Sequence, residues 1–313
     1  MHYWKPILTL LVLSTLLTEV LSGNLPVAGL LQPFTVFLFV TIGYGFPVLV
    51  LREIWIRKQF GLVQLFLLGV GYGIYNEGLY ARTIFNPFHS PVDVMATYGL
   101  VGDVRIPWLL SIGAWHALFA VIFTIIIVHY LFPKDAAKSW ISVQTAWVLG
   151  LVGVGIGVWR FLDPAAFAEQ LSGGMPNLIF MFLCVAALWG VAMLLPSRPT
   201  IAVAGGAPSW SYFLTGVGLF LSFYLIPVLI AGLHVPVTIF ALYFAAVVLF
   251  FGYIALRQQS ITLSQAWRVA LGGEVACALT VLLLAIFSGN IPLMVTSTLF
   301  ICLFVFLTFW RKA

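Results

Sequence analysis

The sequence predicts an all-α protein, a polytopic transmembrane helix bundle of about ten spans. Three observations carry that expectation. Of 313 residues, 63% are hydrophobic and 7% charged, against about 25% charged in ordinary soluble domains. No soluble core hides so much apolar surface, so the lipid bilayer is the expected surrounding. The apolar residues also fall into runs near the ~20 that a helix needs to cross a bilayer. Finally, these runs are broken by Pro, Gly and charges, without the short alternating strands of a β-barrel.

The expected spans are 6–22, 33–51, 60–80, 108–132, 141–160, 176–196, 210–232, 237–256, 268–288 and 293–310. The first follows Lys5 and ends at Leu21-Ser22-Gly23, which is also the outline of a cleaved signal peptide; Glu19 inside the run speaks for a retained span. A short external connection, 23–32, leads to the second span. The basic stretch 52–58 follows as a cytoplasmic connection. The third span carries Glu77 outward into the longest and most polar connection, 82–107. That connection holds His89, Asp93, Asp103 and Arg105, with Asn86-Pro87 and Ser90-Pro91 as turn signals. Its length suits a lid, a re-entrant segment or a plain surface loop. The fourth span brings His116 in from outside, and His129 near its other end reads as interfacial. The fifth, with Ala146, Gly150, Gly153 and Gly157, reads as a close-packing face. Spans six to eight are almost purely apolar, with Pro227 expected to kink the seventh. His234 falls in a short external turn. The ninth span carries Glu274 beside Gly272 and Gly273, near enough to Arg268 for that side chain to snorkel toward it.

Charge placement orients the chain. With the N-terminus inside, Lys5, Arg52, Arg57, Lys58, Lys134, Lys138, Arg198, Arg257, Arg268, Arg311 and Lys312 are cytoplasmic, and only Arg82, Arg105 and Arg160 are external; these eleven and three account for all 14 basic residues. The positive-inside rule then places both termini in the cytoplasm of a cell-membrane protein. The net charge of +5 reports this orientation and does not point to nucleic acid. Cys184, Cys277 and Cys302 lie inside apolar runs without metal-ligand spacing, so they read as small hydrophobes. The whole chain, 1–313, is expected to form one integral membrane domain, divisible into 1–175 and 176–313, with a flexible link at 205–208.

Function is expected where polar groups enter the bilayer. A carboxylate there costs at least ~2.5–3.5 kcal/mol on insertion scales and faces a cavity or a partner. Glu77 lies four residues after Gly73, itself four after Gly69, so all three share one helix face. Small residues at this spacing admit a close neighbour helix. His116, between Gly113 and Ala120, sits on a similar face at similar depth and is the expected partner. Glu19 maps to the same outer half. Asn76 and Arg82 complete the candidate substrate- or proton-binding set, and Glu274 is a secondary candidate toward the cytoplasmic side. With His89, His234 and Arg105 the outer group would line an outward-facing polar pocket. No cofactor or metal motif is present, and no catalytic residue is assigned.

Two stretches resemble known patterns. Glu19-Val20-Leu21-Ser22-Gly23-Asn24-Leu25-Pro26 resembles an E-x-L-S-G-x-x-P opening. Tyr72-Gly73-Ile74-Tyr75-Asn76-Glu77-Gly78-Leu79, with Phe85-Asn86-Pro87, resembles a Y-G-I-x-E-E-G-L…F-x-P signature. Over roughly the first 135 residues the chain is similar to a family of uncharacterised prokaryotic polytopic membrane proteins, which brings no established activity. A weaker resemblance is to CAAX-protease-like (CPBP) intramembrane hydrolases, which bind metal through E-E-x-x-x-R, F-x-x-x-H and a later H-x-x-x-N/B. Here Asn76 replaces the first glutamate, Arg82 stands one residue late, Ile112 replaces the phenylalanine, and Thr238 follows His234 at the fourth place. In architecture, ten spans with both ends inside resemble the drug/metabolite transporter superfamily, though no repeat is visible and the acids and histidines concentrate in the first half. Three functions therefore stay open. The first is a small-molecule transporter with an unknown ligand, proton-coupled through Glu77, Glu19 or Glu274. The others are a metal-dependent hydrolase and a non-catalytic sensor or assembly component.

Overall fold

In the computed structural model, residues 3–85, 93–95, 97–162, 174–197, 201–202, 209–257 and 261–310 are described. His89, the two expected Xaa-Pro turns after Phe85 and the 205–208 link lie outside them. Among the described residues ten long helices make up the fold. They are α1 (Trp4–Leu21), α2 (Phe34–Lys58), α3 (62–80), α4 (Ile106–Leu131), α5 (Val143–Leu162), α6 (Gly174–Leu194), α7 (Trp210–Gly232), α8 (Val237–Arg257), α9 (Leu263–Ser288) and α10 (Ile291–Trp310). Among the described residues, nine helices are long and apolar enough to cross a membrane; α3, which carries Gln64, Asn76 and Glu77, is not one of them. A 26-residue helix such as α4 or α9 spans about 39 Å, more than the ~30 Å hydrocarbon core.

Helix α4 is the central strut. Its whole apolar window is buried inside the bundle, as expected for a helix that is apolar on every side. The outer helices behave oppositely. Trp147 and Leu151 of α5, Leu194 of α6, Leu242 and Leu249 of α8 and Phe287 of α9 are all exposed. In water such a surface would drive aggregation; in lipid it is the matching solvent. The chain is thus a multi-pass membrane protein.

Glycines set the closest helix approaches. A Cβ on Gly69 would lie 2.7 Å from the Ala117 Cα, and one on Gly73 would lie 2.7 Å from the His116 Cβ. The small-residue face expected on α3 is therefore the α3–α4 contact. Closer still is the α7–α9 contact, where a Cβ on Gly216 would strike the Val269 carbonyl oxygen and one on Gly272 would strike that of Phe213. On α5 the expected packing face is shorter than the sequence suggested. Gly157 meets Tyr75, whereas Gly150 faces open space.

Four helices widen to π geometry within their length: α1 at Leu16–Leu21, α3 at Asn76–Tyr80, α4 at His116–Phe123 and α7 at Leu221–Leu225. The last sits just before Pro227, whose missing N–H and ring favour a local change of the hydrogen-bond ladder. Two short strand pairs tie the ends, Leu100–Val101 antiparallel to Val104–Arg105 and Ile201–Ala202 parallel to Ile261–Thr262.

Two boundaries differ from expectation. Helix α2 runs on through the stretch read as a basic connection, to Lys58, and ends where Gln59 turns left-handed at φ 53°. Helix α9 begins at Leu263 because Thr262 and Gln265 form a capping box. Glu274 is therefore eleven residues, about 16 Å, into the helix, where the expected start at 268 would put it six residues in.

Candidate functional site

The three π-helical stretches of α1, α3 and α4 hold Glu19, Glu77 and His116 respectively. A π turn carries an extra residue and is found preferentially at functional sites. The structure brings Glu77 and His116 into contact. Glu77 Oε1 lies 3.4 Å from His116 Nε2, with both side chains buried. The near-absence of side chain on Gly73 and Gly113 lets α3 and α4 approach closely enough for this contact.

Hydrogen bonds around the pair fix its proton pattern. His116 Nδ1 lies 2.9 Å from the Ile112 carbonyl oxygen. A carbonyl only accepts, so Nδ1 carries a proton and donates it. On the other side, Trp108 Nε1 donates to Thr83 Oγ1 at 2.8 Å. The Thr83 hydroxyl, its lone pair engaged, donates its own proton to Glu77 Oε2. What remains is Oε1 facing Nε2, two acceptor positions with room for one shared proton. At 3.4 Å the contact is longer than a well-formed hydrogen bond. Without a proton between them, two lone pairs face one another in a low-dielectric interior, where an unpaired polar group is costly.

Aromatic rings enclose the imidazole. Tyr44 stacks on it at 5.8 Å, while Tyr72 and Trp115 meet it edge-on at 5.9 and 5.1 Å. Glu19, buried in the π segment of α1, accepts from Asn24 Nδ2 at 2.6 Å. Asn76 joins through Tyr72. Its Nδ2 donates to the Tyr72 hydroxyl at 3.0 Å, which donates to the Gly43 carbonyl at 2.9 Å.

The start of the long connection covers the pair. Arg82, Thr83, Ile84 and Phe85 are all buried, so this part is a plug and not a surface loop. Arg105 secures it by donating from Nη1 to the Thr83 carbonyl, and burial lowers the pKa of that guanidinium from its ordinary value. Arg82 is turned elsewhere and donates to the Arg160 and Phe161 carbonyls at the end of α5. His234 is exposed in its turn at φ 51° and does not join the group. In place of the expected pocket the structure has a buried polar cluster in which Glu77 meets His116 and Asn76 joins through Tyr72, with Glu19 held by Asn24, Arg82 held at the end of α5 and His234 exposed. The two clefts described in the structure lie elsewhere, one between α1, α4 and α10 and one between α7, α8 and α9.

Glu274 stands apart on α9. It is fully buried, and among the described residues neither carboxylate oxygen has a hydrogen-bond partner. Arg268, expected to reach toward it, lies instead over the Trp210 ring at 5.9 Å.

A second polar centre escaped the sequence reading. Arg52, fully buried near the end of α2, donates from Nη1 to Glu53 at 2.5 Å, from Nε to His129 Nε2 at 3.1 Å and from Nη2 to the Ala136 carbonyl at 2.9 Å. Its guanidinium lies 3.5 Å from the centroid of the Trp140 ring. Glu53 also accepts from the Trp140 backbone N–H at 2.8 Å. His129 is buried as part of this clasp. The adjacent Arg-Glu pair ending an apolar run was the available signal; the positive-inside pattern put its arginine in a cytoplasmic connection, whereas α2 continues through it to Lys58.

As a metal site the Glu77–His116 pair is short of ligands. Among the described residues no group of three or more His, Cys, Asp and Glu side chains is placed to hold an ion, whereas catalytic zinc uses three protein ligands. No curated protein and no solved structure matches the chain. The model of one family does, over residues 8–310, well beyond the first 135 residues that carried the resemblance in sequence. The chain belongs to that family, described as an uncharacterised membrane protein family.

Proposed function

We propose that the protein is a proton-coupled small-molecule transporter whose proton site is the Glu77–His116 pair, in a cell membrane with both termini cytoplasmic. The observation that carries this reading is the facing of Oε1 and Nε2 at 3.4 Å with every other polar atom of the two side chains engaged. Buried ionisable groups at membrane depth characteristically serve ion or proton paths. A site that holds one proton between two side chains responds to any displacement of α3 against α4. Glu19 and Asn76 extend the polar surface that a solute would meet once the plug of residues 82–85 withdraws. The orientation rests on the distribution of Lys and Arg.

The test is solute-evoked proton movement in proteoliposomes, screened with amino acids, sugars and organic acids on a solid-supported membrane. The wild-type protein gives a current with at least one solute class. Glu77→Gln keeps solute binding and loses the proton-driven component. Silence across the panel, or a Glu77→Gln protein with wild-type pH dependence, rejects the proposal.

A further inference from the structure

Helices α7 and α8 are joined by a short turn and touch about half-way along α7. Tyr243 donates its hydroxyl proton to the Ser222 carbonyl at 2.9 Å, and Phe223 meets Phe244 at 5.8 Å. Phe223 also meets Phe251 at 5.8 Å, and from there toward Ser211 and Arg257 the helices part, leaving a cleft of about 850 Å³ that Val269 of α9 also lines. The cleft is amphipathic along its length. Its inner end is lined by Leu214, Gly218, Phe250 and Phe251, and its mouth by Ser211, Tyr212 and Arg257. From Ser211 to Gly218 the helix advances about 10 Å, which separates mouth from inner end by the distance between a lipid phosphate and its upper acyl chain. A Cβ on Gly218 would meet nothing within 4 Å, so the inner end is open space.

We infer that this cleft binds an anionic phospholipid, with one acyl chain between α7 and α8 and the headgroup phosphate at Arg257. Charge complementarity selects the occupant. Among the described residues no carboxylate pairs with Arg257, whose guanidinium stands 5.2 Å over the exposed Tyr253 ring. Arg268 adds a second positive charge at the same end, over the exposed Trp210. Exposed Trp and Tyr at this level mark the headgroup region, where a cation attracts anionic lipid. A zwitterionic lipid fills the same apolar volume without the net charge, so preference for the anionic headgroup is the signature. The inference is independent of the Glu77–His116 reading.

The test is native mass spectrometry of the delipidated full-length protein with phosphatidylglycerol or phosphatidylcholine of identical chains. Wild type binds phosphatidylglycerol about fivefold more tightly, the effect of one basic side chain at a membrane surface. Arg257→Gln lowers the ratio at least twofold, Arg268 keeping the remainder, and Arg257→Lys keeps most of it. Gly218→Phe, which fills the inner end, weakens retention of both lipids while leaving the melting temperature in lipid-free detergent unchanged. If Gly218→Phe does not fold, the two Arg257 variants still decide. Equal binding of the two lipids by wild type, an unchanged ratio in Arg257→Gln, or displacement of phosphatidylglycerol by inorganic phosphate overturns the inference.

Discussion

Replacing Arg52 by alanine removes the hub of the clasp at the end of α2. The guanidinium serves Glu53, His129 and the Asp135 and Ala136 carbonyls, and it stacks on Trp140. Truncation leaves Glu53, itself buried, with the Trp140 N–H and a 3.4 Å contact to the partly exposed Arg57. Breaking one side of a buried ion pair in this way costs about 3–5 kcal/mol, mostly because the remaining charge is stranded. Removing both charges avoids that penalty, so Arg52→Met combined with Glu53→Leu should cost much less than Arg52→Ala alone. Arg57→Ala, at the exposed edge, should cost under about 1 kcal/mol. Unfolding in an SDS titration, followed by tryptophan fluorescence, reads all three. An Arg52→Ala protein within about 1 kcal/mol of wild type would refute the stranded-charge reasoning. So would a double variant as unstable as the single one.

Other perturbations test separate contacts in the same assay. Gly73→Leu drives a side chain into His116 and Gly113 and should cost at least about 1–3 kcal/mol, with loss of the Glu77–His116 contact; unchanged stability would refute that packing. Gly216→Ala must push α7 from the Val269 carbonyl and should cost a similar amount, whereas Gly150→Ala, in open space, should stay within about 0.5 kcal/mol. Thr83→Val leaves the buried Trp108 N–H and Glu77 Oε2 without their shared hydroxyl and should cost about 1–3 kcal/mol, together with a shift in Trp108 fluorescence. Glu274→Leu replaces a buried carboxyl whose oxygens lack hydrogen bonds and should stabilise the fold by about 1–3 kcal/mol; a destabilised variant would show a polar partner at that position.

Much of this was legible in the chain because bilayers impose a simple code. Length and apolarity located the helices, and the four-residue spacing of Gly69, Gly73 and Glu77 identified the face of α3 that meets His116. The Thr262–Gln265 box that starts α9 was also readable and would have corrected the depth of Glu274. Other features have no local signature. Thr83 is an ordinary polar residue in a loop until the fold buries it between Trp108 and Glu77. Tyr44 sits in an apolar helix where its hydroxyl is invisible to a hydropathy count. Arg52 was misassigned because a charge ending an apolar run usually reaches water. Here the 132–142 connection folds back over it and supplies carbonyls and an indole in place of solvent.

The widened turns have a consequence for how such a bundle moves. Each π segment closes its hydrogen bonds from i to i+5 and therefore stores one surplus residue within an otherwise α-helical rod. Relaxing a segment to α geometry reels that residue out, turning the remainder of the helix by about 100° and sliding it by about 1.5 Å. In α3 and α4 the segments begin at Asn76 and His116, so the fulcrum of such a screw lies at the polar pair itself. A partial turn of α3 beyond Asn76 would part carboxylate from imidazole while Gly69 and Gly73, which precede that segment, keep their places against α4. The surplus residues thus act as thread on a bolt, a means of changing which groups face one another in the closed core without unfolding a helix or opening a gap to lipid.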